Sequence, residues 1–319
     1  MKFTGFLIAC CLTANLAVAA EKTTIHLAVQ ATGTVAWELA TLNKHPAADY
    51  ELVVQQVANP EAAKVALQSG AVDVIVSDWL WVARLRGTGT DFTFYPYSSA
   101  SGALVVAKDS PIHTLKDLVG KRLGVAGGEL DKNWLLLQAL AQQEHLDLNA
   151  SVEKTVGAPP LLNEQLLQKR VDALLTYWHF AARLEGQGYR QIIDGKGILQ
   201  GLGIHETVPT LGYVFKQSWA QAHQQALTHF LAASAAAKIQ LCTDDAAWHE
   251  IVPLTQTDDV ATQAVLRRHY CEGNISGWGD KEQQAAARIY SLLHSLSQQQ
   301  LTGASETLPT GTFWTPGPL

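Results

Sequence analysis

The sequence predicts an α/β fold built from two similar, Rossmann-like lobes, and three observations carry that expectation. From Thr23 onward, short apolar runs alternate with amphipathic stretches, the pattern of parallel βα units. Part of the chain is written twice. Val57, Pro60, Leu67, Val72, Asp73, Trp79, Ala83, Arg84 and Leu85 recur as Val156, Pro159, Leu166, Val171, Asp172, Trp178, Ala182, Arg183 and Leu184, at a constant offset of 99 without a gap. Finally, 319 residues with 47% hydrophobic and 16% charged side chains suffice for two cores of roughly 100–200 residues each.

The elements follow in order. Residues 25–29 read as a strand and 34–42 as a helix. Residues 50–57 form a second strand, and Asn59-Pro60 opens a helix over 61–69. The β-branched run 72–76 is a third strand, followed by a helix near 80–85. The second half repeats this order: strand 122–126 ending in Gly127-Gly128, helix 131–143, strand 152–156, a helix opened by Pro159-Pro160 and reaching 168, and strand 171–175. The apolar runs 103–107 and 211–215 read as strands carrying the chain into the second lobe and back out. Beyond them the chain is helical over 222–241, 257–270 and 281–297. Residues 302–319, rich in Gly, Pro and Thr, read as an irregular tail. The expected division is a leader over 1–20, a first lobe of 21–107 with 206–319, and a second lobe of 108–205.

Composition excludes some classes. The net charge is −6, or −7 once Lys2 leaves with a leader, and no Lys/Arg-rich run is present, so nucleic acid is not an expected partner. Lys2, the apolar stretch 3–16 and Ala17-Val18-Ala19 read as a secretory signal cut before Ala20 or Glu21; Leu7-Ile8-Ala9-Cys10 is a competing lipoprotein signal. In an exported chain Cys242 and Cys271 then form an even pair, read as a disulfide, the alternative being two unpaired core residues. The histidines lack the spacing of a metal centre, so no metal or other cofactor is expected.

Two phrases in the chain are similar to a known family. They are Leu67-x2-Gly70-x2-Asp73 and Ser110-Pro111-Ile112-x2-Leu115-x-Asp117-Leu118-x-Gly120-Lys121-x-Leu123-Gly124-Val125. With the leader and the βα repeat, they resemble periplasmic solute-binding proteins of ABC importers, the nitrate/sulfonate/taurine and thiamine-precursor group, over about residues 23–300. The resemblance implies a type II periplasmic-binding-protein-like (Venus flytrap) fold with a two-strand hinge. It also implies a monomer, a small-molecule ligand clamped between the lobes, and an ABC permease in the inner membrane as partner. Relatives hold an anionic group on a Gly/Ser/Thr-rich loop. Here that loop is Gly127-Gly128-Glu129-Leu130-Asp131-Lys132, whose carboxylates compete with an anion for the helix entrance.

In open parallel sheets ligands lie beyond the carboxyl ends of the strands. That rule selects Thr32 and Gly33, Asp78 and Trp79, Tyr97 and Ser99, Gly127, Gly128 and Glu129, and Tyr177 and Trp178, with Trp37 one turn into the first helix. Flat rings on both walls suit a ring or a cation; the competing reading of each Trp is packing within its own lobe. Asp78 stands opposite Tyr177 in the repeat, so it reads either as a ligand carboxylate or as a helix cap. Asp73 and Asp172 read as structural. The predicted function is capture of a small polar solute, cationic or heteroaromatic, for an ABC importer. Anion capture, a ligand-presenting sensor, and an enzyme on the same fold are the alternatives. No G-x-S-x-G elbow, H-E-x-x-H motif or usable Cys–His pair supports an enzyme.

Overall fold

A computed structural model describes residues 22–30 and 33–316. Thr32, the leader and Cys10 lie outside the described residues. The first half runs β1 (Thr23–Gln30), α1 (Val35–Leu42), β2 (Tyr50–Val57), α2 (Pro60–Ser69), β3 (Val74–Ser77), α3 (Trp79–Arg86) and β4 (Phe92–Ser98). After β5 (Ala103–Val106) the pattern restarts with β6 (Arg122–Ala126), α4 (Lys132–Gln143), a single turn α5 (Leu148–Ser151) and β7 (Glu153–Gly157). It continues through α6 (Pro159–Leu167), β8 (Ala173–Thr176), α7 (Trp178–Gly186), β9 (Arg190–Asp194) and α8 (Gly195–Gly201). The chain then enters β10 (Leu211–Lys216), followed by α9 (Gln217–Ala222), α10 (Gln224–Thr243), α11 (Asp245–Ile251), α12 (Val260–Glu272) and α13 (Asp280–Leu296).

Two five-stranded sheets result, ordered β2-β1-β3-β10-β4 and β7-β6-β8-β5-β9. Each has one inserted strand antiparallel to its neighbours, β10 in the first and β5 in the second. The repeat is therefore longer than its matching letters, because β4 and β9 occupy equivalent places. The sequence reading left both out. It also kept residues up to 107 in the first lobe, whereas β5 pairs with β8 and β9 in the second sheet. The reason is burial: all four residues of β5 are at most 1% exposed, so the strand belongs inside a sheet with both faces covered. The chain thus changes sheets across residues 99–102 and returns across 195–210.

The repeated Asp has a visible task. Asp73 Oδ2 accepts from His26 N at 2.9 Å and faces His26 Nδ1 at 2.9 Å. Asp172 does the same to Arg122, accepting from its backbone N at 2.9 Å and from Nη2 at 2.6 Å. Each Asp fastens the start of its lobe's third strand to the first strand, which fixes the register of the parallel pair.

Helix α10 covers the first sheet through Leu227, Phe230 and Leu231. Cys242 at its end is bonded to Cys271 of α12, with Cα atoms 5.7 Å apart. Helix α13 packs on α4 of the second half. The irregular tail is anchored: Thr312 is 1% exposed, and Phe313 and Trp314 bridge along β4. Among the described residues no helix is long and apolar enough to cross a membrane.

Candidate ligand-binding site

In each sheet three or more strands end at the same edge, and helix N-termini gather there. Between those edges lies a cavity of about 390 Å³. Its walls come from both halves and from the C-terminal helices. Asp78, Trp79 and Ser99 belong to the first half; Asn133, Trp178 and Asp194 to the second; His269, Glu272, Ile289 and Leu293 to α12 and α13. Of the residues singled out in the sequence, four border it: Asp78, Trp79, Ser99 and Trp178.

Asp78 is a helix cap and more. Its Oδ1 accepts from Trp81 N at 3.0 Å, and Oδ2 stands 3.5 Å from Lys132 Nζ, an ion pair that crosses from one half to the other. Burial pushes the carboxyl up, but Lys132, Lys64 and the Trp81 N–H outweigh it and hold it below the usual carboxylate range. Trp79 is 4% exposed and donates from Nε1 to Pro209 O at 2.9 Å, pinning the segment that returns to the first sheet. Ser99 N donates to Gly273 O at 2.9 Å, and Thr210 N to Ser98 O at 2.8 Å, so the two crossing segments and the C-terminal arm meet at this point.

The other predicted residues that the structure describes do not border the cavity. Gly127 and Gly128 have φ of 94° and 123°, a backbone that side chains resist, and a Cβ on Gly127 would come 2.7 Å from the Tyr177 hydroxyl. Glu129 is bonded to Lys154 at 2.5 Å and is largely exposed. Gly33 turns the chain by donating from N to Gln30 O at 3.0 Å. Trp37 is 2% exposed and packs against Trp178, Trp248 and Tyr270 at centroid distances of 6.2, 5.6 and 5.3 Å. Tyr97 donates to Glu38, a carboxylate with no exposure that also accepts from Tyr270. Burial raises the Glu38 carboxyl above its ordinary range, while Lys238, Tyr270 and Tyr97 oppose the shift. Lys238 itself is pushed down to about 8 by burial, against the pull of Glu38.

Two groups of lining residues that sequence reasoning missed are instructive. Asp194 ends β9 and Gly195 and Lys196 follow it, with Asp194 Oδ1 accepting from Gly197 N at 2.7 Å. The signal for them was local: Ile192-Ile193 followed by Asp-Gly is a strand, a cap and a helix start. His269, Glu272, Ile289 and Leu293 reach the cavity through long-range packing and carry no local signal. Among the described residues no group of three or more His, Cys, Asp or Glu could hold a metal ion.

His179, beside Trp178, yields a pH prediction. Burial and the nearby Arg183 push its imidazole down to about 3, and its Nδ1 has no hydrogen-bond partner among the described residues. The folded form therefore disfavours the charged ring. Stability from this group is complete above the unfolded value near 6.5 and is lost as pH falls toward about 3. Since the residue as a whole keeps some solvent exposure, the loss should be about 1–3 kcal/mol, less than the full shift implies. His179→Asn should flatten the urea-midpoint profile below pH 6.5; an unaltered profile would remove His179 as its cause.

Comparisons with known proteins agree with this architecture. A family profile described as NMT1/THI5 like matches residues 47–244. The periplasmic aliphatic sulphonate binding protein SsuA from Escherichia coli is similar in structure at 17% identity, covering 94% of each chain with a TM-score of 0.73. The alkanesulfonate-binding protein SsuA from Xanthomonas axonopodis pv. citri bound to MOPS is similar at 15% identity, covering 93% of this chain and 99% of that one, with a TM-score of 0.68. An ABC transporter from Parabacteroides distasonis gives 15% identity, 93% and 100% coverage, and a TM-score of 0.68. At such identities the likeness carries the fold: two α/β lobes of the periplasmic-binding-protein type. No curated protein matches the sequence.

Proposed function

Since the chain belongs to the NMT1/THI5-like family, we propose that it is the solute-capturing component of an ABC importer, a clamp that delivers one small polar organic solute to a permease. The observation that supports this most is the cavity between the two sheets, at the strand ends where open α/β sheets take ligands. The crossing segments 99–102 and 195–210 would serve as the hinge, and the solute would favour the closed form. The protein would act in the periplasm as a monomer without chemistry of its own. The leader and the Cys242–Cys271 bond support export.

The two carboxylates that favoured a cationic ligand each face a lysine, Asp78 with Lys132 and Glu129 with Lys154. The cavity also presents Lys196, a cation without an acidic partner among the described residues. Lys196 supports a solute with an anionic group, set among the lining carboxylates Asp194, Glu206 and Glu272, with Trp178 and the apolar wall taking its remainder. The sulphonate binders among the structural relatives fit the same chemistry. A charge-assisted bond from Lys196 would contribute about 1.5–3 kcal/mol, so Lys196→Met should weaken binding roughly 10- to 150-fold. Calorimetry with MOPS, ethanesulfonate and their cationic counterparts checks this. Tight binding confined to cations, or a Lys196→Met protein that binds anions unchanged, would contradict the anionic reading.

A further inference from the structure

Helix α12 belongs to the first half by attachment yet leans on the second. Three ties hold it to the first half. The Cys242–Cys271 bond joins it to α10; Arg267 Nε donates to Leu241 O at 3.0 Å; and the Tyr270 hydroxyl reaches Glu38 of α1. Its other face meets α7. Ala182 of α7 shares an apolar core with Trp37, Leu241, Trp248 and Leu266. Gly186 approaches so closely that a Cβ there would fall 2.5 Å from Thr262 Cα.

Polar clasps flank this seam. Glu185 of α7 takes His269 Nε2 at 2.7 Å and also binds the Arg268 guanidinium; His269 Nδ1 faces Glu272 at 3.1 Å. Arg183 Nη2 donates to Thr255 O at 2.9 Å, just ahead of α12. A neutral imidazole donates through one nitrogen only, so His269 bonds both carboxylates when it carries both protons.

His269 and Glu272 also line the cavity, whereas Glu185 and Arg268 do not. We propose that Glu185 and Arg268 are positioning residues: they lock α7 to α12, place His269 and Glu272 as a third wall of the site, and so set the balance between open and closed lobes. The inference rests on the reading of the two lobes as a clamp. It makes α12 a latch outside the hinge, so opening the cleft means parting the seam as well as turning the crossing segments.

The test uses the full chain without ligand, so its failure would leave the solute-binding reading standing. Spin labels at Val65→Cys on α2 and Leu161→Cys on α6, both exposed, report the distance between lobes by electron–electron resonance. Glu185→Gln should move at least half of the closed-distance population to longer distances. Arg268→Gln, at a half-exposed side chain, should do the same if the Glu185 variant does not fold. Lys154→Met, which breaks an ion pair within the second half only, should leave the distribution as it was. A merely structural role would lower the melting midpoint without moving distances. Unchanged distributions in the foldable seam variants, or an equal movement with Lys154→Met, would overturn the proposal.

Discussion

Truncation of Trp37 to alanine is expected to lower the unfolding free energy by about 3–5 kcal/mol, the range for removing a fully buried large aromatic. The side chain is 2% exposed and meets Trp248 edge-on at 5.6 Å and 83°, with Tyr270 and Trp178 on its other sides. Its Nε1 also donates to Leu254 O at 3.3 Å, so truncation leaves a void and an unpaired carbonyl together. Trp37→Phe keeps most of the ring and should cost about 1–2 kcal/mol. Because Trp37 does not border the cavity, the phenylalanine variant should bind solute nearly as the parent does. Urea unfolding followed by circular dichroism, with calorimetric titration of the same samples, checks both halves. A loss below about 1 kcal/mol for the alanine variant would mean that the cluster is not a core.

Removing the Cys242–Cys271 bond is the second large effect. The cysteines are 29 residues apart in sequence, and closing a loop of that length restricts the unfolded chain by about 3–4 kcal/mol. The native fold should survive, since Arg267 still ties α12 to the end of α10 through Leu241 O and Cys242 O. The double variant Cys242→Ser/Cys271→Ser should therefore keep its circular dichroism spectrum and lose stability. The parent should lose a similar amount on reduction, and the variant nothing further. Equal stability of oxidised and reduced parent would show that the bond does not restrict the unfolded chain.

The two-lobe plan was legible because the chain states it twice in local terms. Pro60 and Pro159 open equivalent helices, Asp73 and Asp172 clasp equivalent strands, and the apolar β3 and β8 runs follow. The strands left out, β4 and β9, have less regular patterns: Phe92–Ser98 contains a proline, and every residue of Arg190–Asp194 is only partly buried. The place of β5 in the second sheet depends on antiparallel pairing with strands far along the chain, which no local pattern records.

The candidate cavity was legible only at its corners. Strand-end loops led to Asp78, Trp79, Ser99 and Trp178, all on the cavity wall. Asp78 proved to be a cap and, in addition, half of an ion pair between the lobes, so its mismatch with Tyr177 in the repeat marks the facing surface. The third wall, from His269 to Leu293, is set by α12 and α13 folding back across both lobes. Helices of ordinary amphipathic sequence give no hint of where they will dock.

A cleft that captures an organic solute should hold on to that solute through purification. The most direct measurement equilibrates the full chain with a periplasmic extract, desalts it, denatures it and identifies released small molecules by mass spectrometry. One class of small organic anion should be released in near-stoichiometric amount, and far less of it when Lys196 is replaced by methionine. Release of no organic molecule enriched over the load, or of the same molecules in the same amounts from the Lys196→Met protein, would contradict this.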